Sequence, residues 1–540
     1  MLSTMQDVPL SIAQLLRHGS TVHADAEVVT WTDTGPRRES YGEVGRRAAA
    51  LAHGLRSLGV TGDQRVATFM WNNAEHLEVY LAAPAMGAVL HTLNIRLFPA
   101  QLVHVANDAE DHVVIVDRSL FPLLAPHLPQ LKTVRHVVVT GSDVTDCEVP
   151  QGMQLHSYEG LLAGRPETFD WPEVDERSAA AMCYTSGTTG DPKGVVYSHR
   201  SIYLHSMQVC MSDGPNIRQG DRALAVVPQF HAMSWGLPYA AFMIGASLVM
   251  PDRFLQPAPL AEIIASEKPT VAAAVPTIWQ GLHLYLEQHP QDISSLREVL
   301  IGGSAVPPSL MHAFEADHQV TVLHAWGMTE TSPLGSVARP PAGLTGDDMW
   351  SYRYTQGRFP ASVQARLVDD GDNLVPHDGV GVGELEVRGP WITGSYYGID
   401  DAAKFHDGWL RTGDVGSITP DGFLTLTDRT KDIIKSGGEW ISSVDLENAV
   451  MGHPSVVEAA VIAVPDERWD ERPLVAVVLR EGSDTTVADL RDFLADKVAK
   501  WQVPENWALI TEVPKTSVGK FDKKRLRADF RDGGLAVVRL

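Results

Sequence analysis

The sequence predicts an α/β protein. A large N-terminal domain over residues 1–427 carries parallel-type sheets covered by helices and ends in a small β-rich subdomain at about 360–427; a linker at 428–433 then leads to a small, mobile α+β domain at 434–540. Three observations predict it. A chain of 540 residues is too long for one ordinary core, so two or more domains are expected. Short apolar runs alternate with helix-spaced segments through the first half, the pattern of parallel strands with covered faces. Beyond about residue 360 that rhythm gives way to short alternating strands between Gly/Asp turns, and beyond Asp428 to a mixture of helices and strands.

Taken in order, Ser40-Tyr41-Gly42-Glu43 fits a capping box. Val44, Ala48, Leu51, Leu55 and Leu58 then keep helical spacing until Gly59 stops the helix. A strand is expected at 65–71, a helix at 75–86, and strands at 113–116 and 137–140. The rhythm resumes with a strand at 223–227, a helix at 260–267, a strand at 271–275 and a helix at 277–287. The β-rich part places strands at 364–368, 384–387 and 423–426. The last part places a helix at 444–450, strands at 456–464 and 474–479, and a helix at 487–500 with Leu490, Phe493 and Leu494 on one face. Asp428-Arg429-Thr430-Lys431-Asp432 reads as an exposed charged hinge between the two units.

Composition excludes several function classes. A net charge of −23 argues against nucleic-acid binding and against attraction to an anionic membrane, while leaving small anions to focused positive pockets. The three cysteines, Cys147, Cys183 and Cys210, have no C-x-x-C spacing, so neither a zinc site nor a disulfide framework is indicated. No basic segment followed by an apolar core opens the chain, and a cytoplasmic setting is expected. The longest apolar run, 239–250, is about half the roughly 20 residues a membrane span needs. It reads as core, and peripheral contact with a membrane is left open.

The chemistry concentrates in Tyr184-Thr185-Ser186-Gly187-Thr188-Thr189-Gly190-Asp191-Pro192-Lys193-Gly194, which follows the apolar run 179–183. Glycines allow backbone N–H groups to approach oxyanions, hydroxyls donate further hydrogen bonds, and Lys193 adds a positive charge. The loop is not a Walker A motif, because Lys193 lies three residues past Gly190 and is followed by Gly194. Composition alone would also suit a Gly/Thr-rich surface turn. A second motif is Trp326-Gly327-Met328-Thr329-Glu330-Thr331, where an indole beside a glycine can stack on a purine and a carboxylate can hold Mg²⁺ on ATP phosphates. Trp326 reads equally as plain core.

The loop resembles the signature loop of the adenylate-forming superfamily of acyl-CoA synthetases, peptide-synthetase adenylation domains and luciferases. Within it the chain is similar to bacterial medium- and long-chain fatty acyl-CoA synthetases, with several motifs in the family's order. The resemblance implies ATP, Mg²⁺ and CoA as co-substrates and cofactor. It places Thr185 and Glu330 on the metal, and Thr185, Ser186, Gly187, Thr188, Thr189, Gly190 and Lys193 around the phosphates. Gly303, Ser304, His324, Ala325, Trp326, Gly327 and Thr329 border the nucleotide; the family usually has tyrosine where this chain has Trp326. Asp414 takes the ribose hydroxyls, Arg429 and Lys431 belong to the linker around which the small domain rotates, and Lys435 and Trp440 match nucleotide-site positions. Gly437 and Gly438 line the pantetheine passage. Lys520, closing the motif Pro514-Lys515-Thr516-Ser517-Val518-Gly519-Lys520, contacts the reacting carboxylate and α-phosphate.

For the acid, the resemblance assigns His231, Ala232, Trp235, Gly236 and Gly302 to the acyl pocket. The stretch 228–236 holds no basic residue, and Met233, Leu237 and Phe242 are apolar, so a hydrophobic monocarboxylate fits. The implied activity is a fatty acid:CoA ligase of the AMP-forming kind with Lys520, Glu330, Thr185 and Lys193 as catalytic residues. The alternatives are a ligase for an aromatic or sterol-side-chain acid, an acyl-AMP ligase loading a carrier protein, a luciferase-like oxidase, and a nucleotide-binding regulator without turnover. A homodimer is a further expectation of the resemblance.

Overall fold

The computed structural model describes residues 1, 3–185, 191–437, 439–516 and 519–540. Seven strands form the first sheet, in the order Gln154–Ser157, His136–Val139, Asp111–Val116, Arg65–Phe69, Val89–Thr92, Ala179–Tyr184 and Gly194–Ser198. All neighbours are parallel except the last pair, which is antiparallel. The antiparallel return brings Thr185 and Lys193 together at the edge of the sheet.

A second sheet of fifteen strands contains the parallel run Thr321–Gly327, Glu298–Ile301, Val271–Ala274, Arg222–Leu224, Ser247–Met250 and Glu27–Thr32. At Trp326/Gly327 the register shifts and the partners turn antiparallel, through Leu334–Val337 to Phe423–Arg429, Trp409–Ile418, Gly383–Arg388 and Gln364–Val368. The β-rich region is therefore hydrogen-bonded to the parallel sheet rather than set apart from it. The bulge bends the ladder where the site forms.

Helices fill the space between these sheets. Ile12, Leu51, Leu77 and Phe242 pack in one cluster with Val66, Leu90 and Val113 of the first sheet and Val28, Ala223 and Leu248 of the second. The helix Ala74–Ala85 is buried on every side, so its sequence is apolar all round rather than striped. Of its two carboxyl groups, Glu75 is paired with Arg37 at 2.7 Å, and the fully buried Glu78 accepts from Arg47 at 2.6 Å and from the Tyr158 hydroxyl at 2.6 Å, as a polar group with no exposed face must. The capping box forms as read: Ser40 Oγ accepts from Glu43 N at 3.2 Å, and Glu43 Oε2 accepts from Ser40 N at 2.7 Å. The apolar run 239–250 divides into the end of the helix Leu237–Ile244 and the strand Ser247–Met250. Among the described residues no helix is long and apolar enough to cross a membrane.

A third sheet, of six strands, begins at Ile434 and pairs Val456–Asp466 and Asp470–Leu479 over most of their length. Two expectations change here. The helix expected at 487–500 stops at Ala495, with Asp496 as its C-cap. The charged segment is not an exposed linker throughout: Asp428 and Arg429 finish the strand Phe423–Arg429, paired with Val415 and Asp414. Asp428 is buried because its carboxylate accepts from Ser443 N at 2.7 Å and Ser443 Oγ at 2.5 Å, which satisfies the charge with partners that sequence spacing does not show.

Candidate active site

The parallel strands of both sheets end on one cavity of about 1050 Å³. Ligands of α/β folds bind beyond the carboxyl ends of the strands because loops diverge there and leave backbone groups to bind them. Thr185 follows the strand Ala179–Tyr184, Gly302 and Gly303 follow Glu298–Ile301, and Gly327 ends Thr321–Gly327.

At the phosphate-type loop, Thr185 N donates to Lys193 O at 3.0 Å and Thr185 Oγ1 accepts from Lys193 N at 3.1 Å, closing the loop at its base. Ser186, Gly187, Thr188, Thr189 and Gly190 lie outside the described residues. The Lys193 ammonium is paired with Asp401 at 2.8 Å and sits 4.7 Å from the centre of the Tyr396 ring. Glu330 lies on the 3₁₀ turn Thr329–Thr331, where its Oε1 accepts the Tyr396 hydroxyl at 2.7 Å. Its Oε2 has no partner among the described residues. Thr185 and Glu330 both line the cavity, so a hydroxyl and an open carboxylate oxygen are available to a hard cation. No cluster of three His, Cys, Asp or Glu ligands exists among the described residues. Mg²⁺ takes one or two protein oxygens and otherwise water and phosphate, and the Thr185 hydroxyl and the Glu330 carboxylate fit that demand.

Elsewhere on the cavity wall, Asp414 is buried with both oxygens engaged: Trp326 Nε1 donates to Oδ2 at 2.8 Å and Arg429 Nε to Oδ1 at 3.0 Å. Trp326 thus serves as core, packed with Leu385 and Leu424, and as cavity wall at once. Gly327 beside it must be glycine, since a Cβ there would stand 1.8 Å from Pro333 O. Ser304, His324, Ala325, Thr329 and Lys431 also line the cavity. Burial holds the His324 imidazole neutral, its pKa pushed down to about 4, and its Nδ1 has no partner among the described residues.

Lys520 reaches this cavity from the C-terminal unit. Thr277 Oγ1 donates to Gly519 O at 3.1 Å and Thr516 Oγ1 accepts from Lys520 N at 3.2 Å. The side chain passes so close to Gly303 that a Cβ there would lie 3.1 Å from Lys520 Cε and 3.3 Å from Val275 Cγ1. Desolvation, assisted by the Arg429 charge and opposed by Asp414 and Glu330, lowers the Lys520 pKa to about 8. Gly303 also has φ +88°, a backbone that side chains disfavour by about 1–2 kcal/mol. Gly303→Ala is accordingly expected to slow acid-dependent ATP–pyrophosphate exchange about tenfold by displacing Lys520; unchanged exchange would mean the contact is idle.

On the acyl side, Ala232, Met233, Ser234 and Trp235 have φ of 41°, 57°, 51° and 54°, followed by Gly236 at 74°. This left-handed turn is held by Ser234 Oγ donating to Val227 O at 2.7 Å. It turns the Trp235 indole toward Gly302, whose added Cβ would lie 3.4 Å from Trp235 Cη2. Ala232, Trp235 and Gly302 line the cavity with Val209, Pro215 and Leu300, and an apolar pocket of about 30 Å³ continues behind Trp235. Gly236 itself faces the His205 ring rather than the cavity. His231 also lines the cavity; burial, together with the nearby Lys520 and Arg96 charges, pushes its pKa down to about 3, so it is a neutral hydrogen-bonding group.

Lys435, Gly437 and Trp440 are not at the cavity. They lie on the hairpin Ile434–Ser436/Glu439–Ile441, where Lys435 N donates to Glu471 Oε2 at 2.8 Å, Gly437 N donates to Trp469 O at 2.7 Å and Trp440 is 45% exposed. Lys520, in the connection before the helix Lys523–Arg531, lines the cavity while this hairpin does not. Gly438 lies outside the described residues. Sequence reading missed Tyr396, Asp401, Lys404 and Arg96, all beyond the recognised motifs; the clue available was the run of charge and tyrosine at 396–404.

The base of a phosphate-type loop, a buried carboxylate and a lysine from the C-terminal unit meet on one cavity, the parts expected of an enzyme that activates a substrate with a nucleotide. The chain belongs to the AMP-binding enzyme family: that family's model matches residues 16–397, and the model of its C-terminal domain matches residues 445–520. It is an adenylate-forming acyl-CoA ligase by family. It is 43% identical to the 3-methylmercaptopropionyl-CoA ligase of Ruegeria lacuscaerulensis over 98% of this chain and 99% of that one. It is 43% identical to the medium-chain-fatty-acid–CoA ligase of Ectopseudomonas oleovorans over 98% of both chains. To the long-chain-fatty-acid–CoA ligase of Thermus thermophilus it is 44% identical, over 98% of this chain and 97% of that one. The anthranilate CoA ligase AuaEII with anthranoyl-AMP superposes with a TM-score of 0.88 at 25% identity, covering 98% of this chain and 100% of that one.

Proposed function

We propose that the chain activates a hydrophobic monocarboxylic acid, of the fatty acid type, through an acyl-adenylate and hands the acyl group to CoA. The approach of Lys520 to Gly303, in the cavity that also holds Asp414 and Glu330, carries this reading. The acid lies in the part of the cavity lined by Ala232, Trp235, Leu300 and Gly302, with neutral His231 donating one hydrogen bond to its carboxylate. A carboxylate oxygen attacks the α-phosphorus of ATP, a new P–O bond forms, and the bond to pyrophosphate breaks. Lys520 offsets the charge that grows on the reacting oxygens. Thr185 and Glu330 would hold Mg²⁺, which neutralises phosphate charge when bound. Asp414 orients the ribose, and Arg429 steadies Asp414.

In the second half, the CoA thiol attacks the acyl carbon and AMP leaves. Lys520 fills the approach to Gly303, so the C-terminal unit must turn about the segment near 428–433 before the thiol enters. The same turn would bring Lys435, Gly437 and Trp440 from their present outward position to the cavity, which reconciles their place in the fold with the roles the motifs give them.

Purified protein with ATP, Mg²⁺ and a ladder of straight-chain, branched, aromatic and methylthio-substituted acids, each with and without CoA, tests the reading by mass spectrometry. Acyl-CoA and AMP from straight-chain or methylthio acids are expected. Acyl-adenylate that persists despite CoA would point to a carrier protein as acceptor, and a product from aromatic acids alone would overturn the choice of acid.

A further inference from the structure

We propose that Lys404 is a further cation of the nucleotide site, one that contacts the phosphate chain at its Glu330 end. The inference rests on the reading that ATP occupies this cavity. Lys404 lines it and is half-buried, and Nζ donates to Thr412 O at 3.3 Å, two residues before Asp414. The turn that carries it is fixed by its own backbone, Lys404 N donating to Asp401 O at 3.0 Å and Oδ1 at 3.2 Å.

That turn divides labour between two lysines. Asp401 faces Lys193 and neutralises it at 2.8 Å, while Lys404, three residues on, bonds to a carbonyl and keeps its charge toward the cavity. Its electrostatic neighbours are Glu330, then Asp414, Glu384 and Arg429, so the Glu330 carboxylate acts on it more strongly than the ribose-end Asp414. A phosphate chain strung from Asp414 toward Glu330 passes two carboxylates and needs positive charge along its length. Arg429 stands at the Asp414 end, Lys520 at Gly303, and Lys404 supplies the charge at the Glu330 end.

The test is calorimetric titration of adenosine, AMP and ATP into the full chain in one Mg²⁺-containing buffer, for the wild type, Lys404→Met and Lys404→Arg. Lys404→Met should weaken ATP about 10- to 100-fold, the range of a hydrogen bond to a charged group, weaken AMP less, and leave adenosine unchanged. Lys404→Arg should restore ATP binding to within about threefold, since it keeps charge and donors. Unchanged ATP affinity, or adenosine weakened as much as ATP, would overturn the proposal. Thermal unfolding checks that each variant is folded, and Lys404→Gln replaces the methionine variant if that one is not. Wild-type protein that binds none of the three would instead remove the nucleotide reading on which the proposal stands.

Discussion

Lys520→Ala slows the adenylation half-reaction by about 10²–10³-fold, the cost of removing one preorganised donor from a transition state that builds negative charge. Conversion of supplied acyl-adenylate to thioester changes by less than about threefold in the same variant, because Lys520 serves only the first half. ATP–pyrophosphate exchange and single-turnover thioester formation separate the two. Equal losses would show that the lysine acts in both steps, or that its removal disturbs the docking of Thr277 on Gly519. A pH profile gives an independent check. With its pKa lowered to about 8, Lys520 is charged below that pH and neutral above it. The kcat/KM of adenylation, which reports the free enzyme, is therefore expected to fall about tenfold per pH unit above about 8, and to lose that limb in Lys520→Arg.

Asp414→Ala is expected to weaken both nucleotide use and the fold. The ribose loses its acceptor, raising KM for ATP about 10²-fold. Trp326 Nε1, buried and now without its acceptor, costs about 1–3 kcal/mol of stability. Arg429, 44% exposed, finds water instead and adds little. Pairing the substitution with Trp326→Phe distinguishes the two effects. If the indole hydrogen bond stabilises the fold, the double variant unfolds at a higher temperature than the sum of the single losses predicts. Strict additivity would leave Trp326 as packing alone, while the effect on KM would persist.

The family resemblance carried by the motifs was legible because each motif is local. Glycines, hydroxyls and lysines within a few residues of one another state a chemistry wherever the chain folds, and the capping box at Ser40 and Glu43 formed from four consecutive residues. The parallel strands were legible through apolar runs whose ends shifted by only one to three residues, from 223–227 to Arg222–Leu224 for example. Partners far apart in sequence were not legible. Nothing near Trp326 announces that its indole N–H reaches Asp414, 88 residues on, or that Tyr396 reaches back to Glu330. Arg96 acts on His231 from another loop, which the absence of a basic residue in 228–236 concealed.

By itself, then, the sequence determined the α/β class, the division into a larger and a smaller unit, and the residue types from which an acid-activating site is made, because hydrophobic periodicity and loop chemistry act over short spans of chain. Tertiary structure alone decided which of those residues share the cavity. It set Lys520 against Gly303 and left Lys435 and Trp440 on a hairpin away from the cavity, a difference that no local sequence pattern states. It also tied Lys193 to Asp401, 208 residues on, and left Lys404 at the cavity on the Thr412 carbonyl, a difference between two lysines that depends on how distant segments are folded together.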